Sequence, residues 1–588
     1  MAHLSMEGTM MKMKYVLVSA TAATCIYIAG CGGHDGQNAT DTIPVYQPAA
    51  QVFTDTTSPS VVNNRGAYVT SQCYTKTEDA QGNAHNPCFS CHINSEAPNY
   101  IDDWDLQENY AFSEYTRINR WTNLFKDRTA AVGAITDRDI LGYVRSDNYL
   151  DANNSIILAE LLQHLPDAWD NDHDGSWSGY TPDCYFHFDA EGFDIAPDGN
   201  LTGWRAFAYY PFLGTFWPTN GSTDDVLIRL PEVMQQNGKG VFDRTVYTIN
   251  LAIVEALIKK TDIAIDPVDE ALFGVDLNQN GVTDTADTVV YNWITPKYDF
   301  ASKTYYDFSM HYVGRARQAL IDNVLHMAPG LYPEHTEFLH TVRYIDLDGN
   351  GSVKMGSRMK ELRYGRKTDW NSYAQLSNAS QSEIKEKEAF PDRLRTIRGD
   401  AEHGLRTGLG WVYQGFIEDR NGHLRPQTYE ETLYCIGCHS GIGAIADSTF
   451  VFQRKFDHNA PQKGWYHWTQ HGLKGVLEPR LSDGRAEYRL YLQANGAGDE
   501  FRGNEEVKAK FFDADGNLIP EETAKIAADI SYLLFPSPER ALELNKAYKV
   551  IVDEQSFIYG RDAHVEPIGT VHRDVAVDTP TRVDVVKR

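Results

Sequence analysis

Apolar residues recur at helical spacing between Val246 and Lys259, where Leu251, Ile253, Val254, Leu257 and Ile258 mark one buried stripe. A second helix is predicted at Ser537-Pro538-Glu539: a capping serine, proline at the first helical position and an acid in the first turn. Its apolar positions run through Ala541, Leu542, Leu544, Ala547, Tyr548 and Val550. Glu522 to Leu534 reads as another late helix, and Thr428 with Glu431 forms a capping box ahead of Leu433 and Tyr434. Strand-like runs are broken by turn residues at Asp198-Gly199-Asn200, Asn421-Gly422 and Asp513-Ala514-Asp515-Gly516-Asn517. Helices and β-hairpins without a βαβ rhythm predict an α+β fold. Aromatic residues crowd Trp204 to Trp217 (Phe207, Tyr209, Tyr210, Phe212, Phe216) and Tyr291 to Tyr312. Such clusters suit either an ordinary core or the wall of a pocket for a flat apolar ligand.

The amino terminus departs from this pattern. Tyr15 to Ile28 is apolar behind the positive Lys12 and Lys14, and is too short to span a membrane comfortably. Ile28-Ala29-Gly30-Cys31 resembles a bacterial lipobox, which makes Cys31 the lipidated first residue of the mature chain. An ordinary signal peptide or a short anchor is the alternative. Residues 1–10 lack leader character, so Met11 and Met13 are candidate starts. By resemblance to other lipoproteins, Gly32 after the cysteine favours the outer membrane, with the face left open. Residues 32–66, rich in Gly, Thr, Ser, Asn, Asp and Pro, read as a flexible tether. A tether of that length has an end-to-end distance of roughly 30 Å.

The 588 residues are 42% hydrophobic, enough for sizeable cores. Lys and Arg number 54 against 81 Asp and Glu, a net charge of −27. That balance argues against nucleic acid as a partner and suits cationic partners, divalent metals or plain solubility. Two Cys-x-x-Cys-His motifs change the picture most: Cys88-Phe89-Ser90-Cys91-His92 and Cys435-Ile436-Gly437-Cys438-His439. A bare Cys-x-x-Cys serves equally as a redox dithiol or half a zinc site. The trailing histidine, present twice in an exported chain, points to c-type haem. The two thiols would form thioethers to the porphyrin, and His92 and His439 would be the proximal iron ligands. The capping box places the second motif on a helix, whereas Asn86-Pro87 starts the first from a loop. Of the eight cysteines, Cys25 lies in the leader, and Cys73 and Cys184 are left as a candidate disulfide.

The sixth ligand of each iron separates an electron carrier from an open, reactive haem. Distal candidates are His85 beside the first motif, His403 upstream of the second, and His471, four residues after His467 on a possible helix face. A central group of His311, His326, His335 and His340, with Met310 and Met327, adds others. Arg393, Arg395, Arg398 and Arg406 around His403 are candidate propionate partners. Three segments match the first half of a calcium loop. They carry Asp170, Asp172 and Asp174; Asp276, Asn278 and Asn280; and Asp346, Asp348 and Asn350. The second is the most complete, because Asp284 and Asp287 stand at its ninth and twelfth positions. His173 lies inside the first loop, which removes it from the haem ligands.

Leader, lipobox and paired motifs together resemble an outer-membrane dihaem c-type cytochrome lipoprotein. Gly203-Trp204-Arg205 through Pro218, and Tyr429 to Ile442, are similar to segments of large bacterial cytochrome c proteins. The resemblance implies two covalently bound haems and electron transfer to another envelope redox protein or an extracellular acceptor. Membrane attachment would be through the lipid alone. It also implies a domain plan of residues 1–31 (leader through Cys31), 32–66 (tether), 67–345 (first haem region with the aromatic body) and 346–588 (second haem region with the late helices). This is not a compact small cytochrome c. A dihaem oxidoreductase of peroxidase or oxygenase type, with one open haem, is the rival. Dihaem peroxidases hold their motifs closer together in a shorter chain, so no active-site residue transfers from them. A calcium-stabilised surface-binding protein is a third reading.

Overall fold

The computed structural model describes residues 69–76, 88–92, 97–98, 108–213, 218–393, 395–481, 483–496, 504–562 and 566–581. Cys25, Cys31, the tether and His85 lie outside the described residues. The strands are β1 Phe193–Ile195, β2 Leu201–Ala206, β3 Thr223–Asp224, β4 Leu227–Arg229, β5 Ile263–Asp269, β6 Thr285–Val289 and β7 Lys297–Asp299. They continue with β8 Thr304–Tyr306, β9 Glu337–Leu347, β10 Val353–Lys367, β11 Arg398–Asp400, β12 Gly404–Arg406, β13 Trp411–Glu418 and β14 Leu424–Pro426. Ten of them form one antiparallel sheet in the order β1-β2-β4-β9-β10-β13-β12-β11, with β3 on β9 and β14 on β13. Helices pack around it, so the α+β expectation holds. Among the described residues no helix is long and apolar enough to cross a membrane.

The helix Arg244–Lys259 starts where Asp243 accepts hydrogen bonds from the Thr245 and Val246 amides, and ends at left-handed Lys260. It is buried almost all round, which matches the apolar run read from its sequence. Pro538–Glu554 begins at the Ser537 cap as expected. The helix expected over Glu522–Leu534 is two helices, Pro520–Ala528 and Ser531–Leu534. Extended Asp529 breaks it: its carboxylate accepts from the Ser531 amide and hydroxyl, an Asx turn that competes with the helix.

The division at residue 345 does not survive. It falls inside β9, which pairs on one side with β4 and on the other with β10. Strands from both proposed halves share one sheet, and the described residues group as one compact unit.

Register on the middle of this sheet positions the site. His340 of β9 stands opposite Arg363 of β10, and Phe338 opposite Gly365. Gly365 in turn faces Tyr413 of β13. With a side-chain period of two, Phe338, His340, Arg363 and Tyr413 share a face. Gly365 is required there: a Cβ would lie 2.7 Å from Tyr413 Cε1.

Candidate functional site

Helix Tyr429–His439 carries the second motif and is fixed at its start. Thr428 Oγ1 accepts from the Glu431 amide at 3.2 Å, and the Glu431 carboxylate accepts from the Thr428 amide at 2.9 Å. Both Glu431 oxygens also take the fork of Arg425, at 2.8 and 2.9 Å. Arg425 and Glu431 are almost wholly buried, so each charge depends on the other.

The helix end and the sheet face enclose a cavity of about 1230 Å³, counted with its open mouth. Cys435, Cys438 and His439 of the helix line it together with Phe338, His340, Arg363 and Tyr413 of the sheet. Tyr209, Phe212, Asp224, Val226, Phe450, Val451 and Arg561 complete much of the rest. His439 Nδ1 lies 2.7 Å from the Ser448 carbonyl oxygen, to which it donates, leaving Nε2 as the second ring nitrogen. The same carbonyl accepts from Tyr413 Oη at 2.7 Å. It is presented by a tight turn in which Asp447 and Ser448 are both left-handed and Ala446 and Thr449 exchange hydrogen bonds. Lys367 pairs with the buried Asp447, and the Tyr332 amide donates to it at 2.9 Å. Two charges and a strained turn thus hold one carbonyl against one imidazole.

Electrostatics in the cavity are strongly perturbed. Burial pushes His439 down to about 4, against the hydrogen bond to Ser448, so its ring is neutral at neutral pH. Burial and the Arg363 charge push His340 down to about 3. Burial raises Asp224 to about 7, with the Asp225 charge adding to it although Tyr209 donates a hydrogen bond to the carboxylate. Asp224 Oδ1 and Arg561 Nη1 are buried without a hydrogen-bond partner among the described residues. A bulky, mostly apolar group bearing carboxylates fits these walls: two thiols to bond it, a neutral imidazole beneath and guanidinium groups at the edge. Arg363 and Arg561, flanking the buried Glu361, would hold those carboxylates. That role had been expected of Arg393, Arg395, Arg398 and Arg406, which do not line this cavity.

The first motif forms a four-residue helix, Cys88–Cys91, and the His92 amide donates to the Cys88 carbonyl at 2.8 Å. Cys88 is buried, and Cys91 and His92 are half-buried. Burial holds the Cys88 thiol well above its ordinary range, and the Cys73 and Cys91 thiols add to the shift. Cys73 is therefore a neighbour of the first motif. It is not bonded to Cys184: both are free thiols, and Cys184 is buried in a separate cluster with Trp204 and Leu362. The short helix Ser71–Tyr74 that carries Cys73 also contributes Gln72, and its cap Thr70, to the wall of the second-motif cavity. Trp121 ties this segment down, donating to the Val69 carbonyl at 3.0 Å and contacting Tyr434 with ring centroids 4.4 Å apart. One short segment thus neighbours the first motif through Cys73 and the second-motif cavity through Thr70 and Gln72.

Of the expected distal ligands, His403 and His471 do not line this cavity. His403 sits 3.0 Å from Asp400 and 3.6 Å from Asp172, away from the cavity. Although burial lowers it, the Asp400 hydrogen bond and charge hold its pKa above the usual value. His471 is exposed beside Tyr466, and His467 belongs to a turn in which its Nε2 meets buried Asp225 at 2.8 Å. His326 and Met327 line a different cavity, where His326 stacks on Trp370 and pairs with Glu334. Met310 is in the core. Of that central group, His340 alone lines the second-motif cavity. Its signal in the sequence was its position two residues after Phe338 on a strand, which says nothing of what faces it. Asp224, Arg363 and Arg561 were not read as site residues at all.

Two of the calcium-type loops fold alike. Asp170 accepts from the Asp174 and Gly175 amides, and Asp276 from the Asn280 and Gly281 amides, with left-handed His173 and Gln279 in equivalent places. Carboxylates of Asp170, Asp172 and Asp174 lie within 4.8 Å of one another, as do donor atoms of Asp172, Glu402 and His403. In the second loop Asp284 accepts from Asn280 at 3.1 Å, whereas Asp287 lies in β6 with the Thr288 hydroxyl on its carboxylate. Buried Glu270, missed in the sequence, orders that loop by accepting from the Leu277, Asn278 and Asp284 amides. The third loop is arranged differently. Asp346 belongs to β9 and is paired with Arg145 and Lys354, each at 2.9 Å, while Asp348 accepts from the Asn350 and Ser352 amides. Asp348 and Asn350 build the β9–β10 hairpin turn, and Asp346 is a ladder residue ahead of it.

Fold and site thus define an α+β protein with two Cys-x-x-Cys-His segments, one of them opening onto a large, mostly apolar cavity. A family model described as "-like lipoprotein" matches residues 57–529, and the chain belongs to that lipoprotein family. It is 31% identical over 557 residues to an uncharacterized lipoprotein of Aquifex aeolicus (strain VF5), covering 85% of this chain and 86% of that protein. No solved structure matches it. Membership makes the chain an exported, lipid-anchored protein, in keeping with the lipobox at Cys31.

Proposed function

We propose that this lipoprotein is a dihaem c-type cytochrome that passes electrons in the bacterial envelope, held at the outer membrane by the lipid on Cys31. The observation that carries the reading is the cavity at Cys435, Cys438 and His439, with its neutral imidazole and edge arginines. Haem bound there supplies one-electron chemistry. The chain's own residues attach it, orient His439 through Ser448 and Tyr413, and exclude water with Phe212, Val226, Phe338 and Phe450. Cys88, Cys91 and His92 would hold the other haem, and the Thr70–Tyr74 segment keeps the two groups close enough for transfer between them. Electrons would leave to another envelope redox protein or an extracellular acceptor. Calcium at Asp170/Asp172/Asp174 and at Asp276/Asn278/Asn280/Asp284 is part of the same reading, as a clamp on the surface loops.

The rival, a dihaem peroxidase- or oxygenase-type enzyme, draws on Asp224, whose raised pKa suits proton transfer beside an open iron. Peroxide turnover by the full-length reduced protein separates the two. The carrier reading expects both haems to be oxidised by a soluble redox dye, with peroxide consumed no faster than by free haem. Rapid peroxide turnover that fails in the Asp224→Asn variant contradicts it.

A further inference from the structure

Resting on the haem reading above, we propose that His340 is the second axial ligand of the haem attached at Cys435 and Cys438, opposite His439. Among the described residues of the cavity wall, His340 and His439 are the only histidines, and no methionine lines it. They come from different elements, one from the end of helix Tyr429–His439 and the other from β9 of the sheet. A flat macrocycle inserted between the two would have an imidazole on each side. β9 is a central strand, paired through its neighbours Leu339 to Leu227 of β4 and to Tyr364 of β10, so His340 stands on a rigid element before any ligand binds. Its cross-strand partner Arg363 lies on the same face at the cavity edge, where a propionate belongs.

Three tyrosines on the wall are already committed. Tyr209 donates to Asp224, Tyr364 donates to Glu337 at 2.5 Å, and Tyr413 donates to the Ser448 carbonyl. Asp224 is a competitor for the sixth position, through its unpartnered Oδ1. Two nitrogen ligands give a low-spin iron that exchanges electrons and binds no small substrate. The haem at the second motif is then a relay, and any open iron belongs to the first.

The test uses the full-length Cys88→Ser/Cys91→Ser chain, matured in a host that attaches haem c, so that only the second haem is read. Electron paramagnetic resonance should show a low-spin ferric haem, and the ferrous form should bind no carbon monoxide. His340→Ala should convert that haem fully to high spin and open it to carbon monoxide, and added imidazole should restore the low-spin signal. His471→Ala should change nothing. A high-spin haem with His340 in place overturns the inference even if the alanine variant does not fold. So does a low-spin haem indifferent to His340→Ala. Absence of covalent haem from this chain overturns the cytochrome reading itself, which is a distinguishable result.

Discussion

The two Cys-x-x-Cys-His segments are alike in sequence and differ in setting. The second ends an eleven-residue helix, Tyr429–His439, closed by a capping box and a buried Arg425–Glu431 pair and laid against a ten-stranded sheet. The first is a four-residue turn of helix whose described neighbours include a third thiol, Cys73. Both place two thiols and an imidazole within one turn, which the local motif alone accomplishes. Among the described residues, only the second shows a chamber, and it is assembled from strands far away in the chain. The comparison separates attachment, which is local, from ligation and redox tuning, which are not.

The largest effect should come from removing the thiols themselves. Cys435→Ser with Cys438→Ser should leave one covalent haem of two, and the same change at Cys88 and Cys91 should leave the other. Intact-protein mass spectrometry reads both; loss of both haems from either variant would mean that the sites are not independent. Next is the helix anchor. Glu431→Gln strands the Arg425 charge and should cost about 3–5 kcal/mol in urea unfolding. The same change should weaken haem retention at the second motif and leave the first intact.

Asp224 should make stability depend on pH. Its folded pKa of about 7 lies above the ordinary carboxylate value. The folded chain therefore holds a proton that the unfolded chain has released, and this contribution is lost as pH rises from about 4 to about 7. At about 1.4 kcal/mol per pKa unit the loss is at most about 4 kcal/mol. Asp224→Asn should flatten that slope in melts across the window; an unchanged slope would show that Asp224 ionises normally. Smallest is Gly365→Ala, which pushes a methyl group against the Tyr413 ring. It should cost about 1–3 kcal/mol and shift the spectrum of the second haem alone.

Elements governed by local rules were legible in the chain. Asp243 and Ser537 cap the helices that their sequences announced, and Thr428 with Glu431 does the same for the second motif. Asn421-Gly422 turns β13 into β14 as expected. Local rules also misled where two outcomes share one signature. Asp346 to Gly351 has the residues of a cation loop and of a hairpin turn, and the long partner strands decided for the turn. The site was half legible. Cys435, Cys438 and His439, grouped by their motif, line one cavity. His340, Asp224 and Arg561 were hidden because sheet register and chain return bring them together, and neither is written within a window of one helix or strand. The same non-locality defeated the Cys73–Cys184 pairing: counting leftover cysteines says nothing of distance, and Cys73 packs beside Cys88.

The central claim is covalent haem at both motifs, and counting haem per chain tests it most directly. Full-length protein, made where haem c is attached, should run as a haem-staining band after denaturation. Its pyridine haemochrome should give two c-type haems per polypeptide. A purified, folded chain with no covalently bound haem, or with Cys88, Cys91, Cys435 and Cys438 all reactive toward a thiol reagent, would contradict the account.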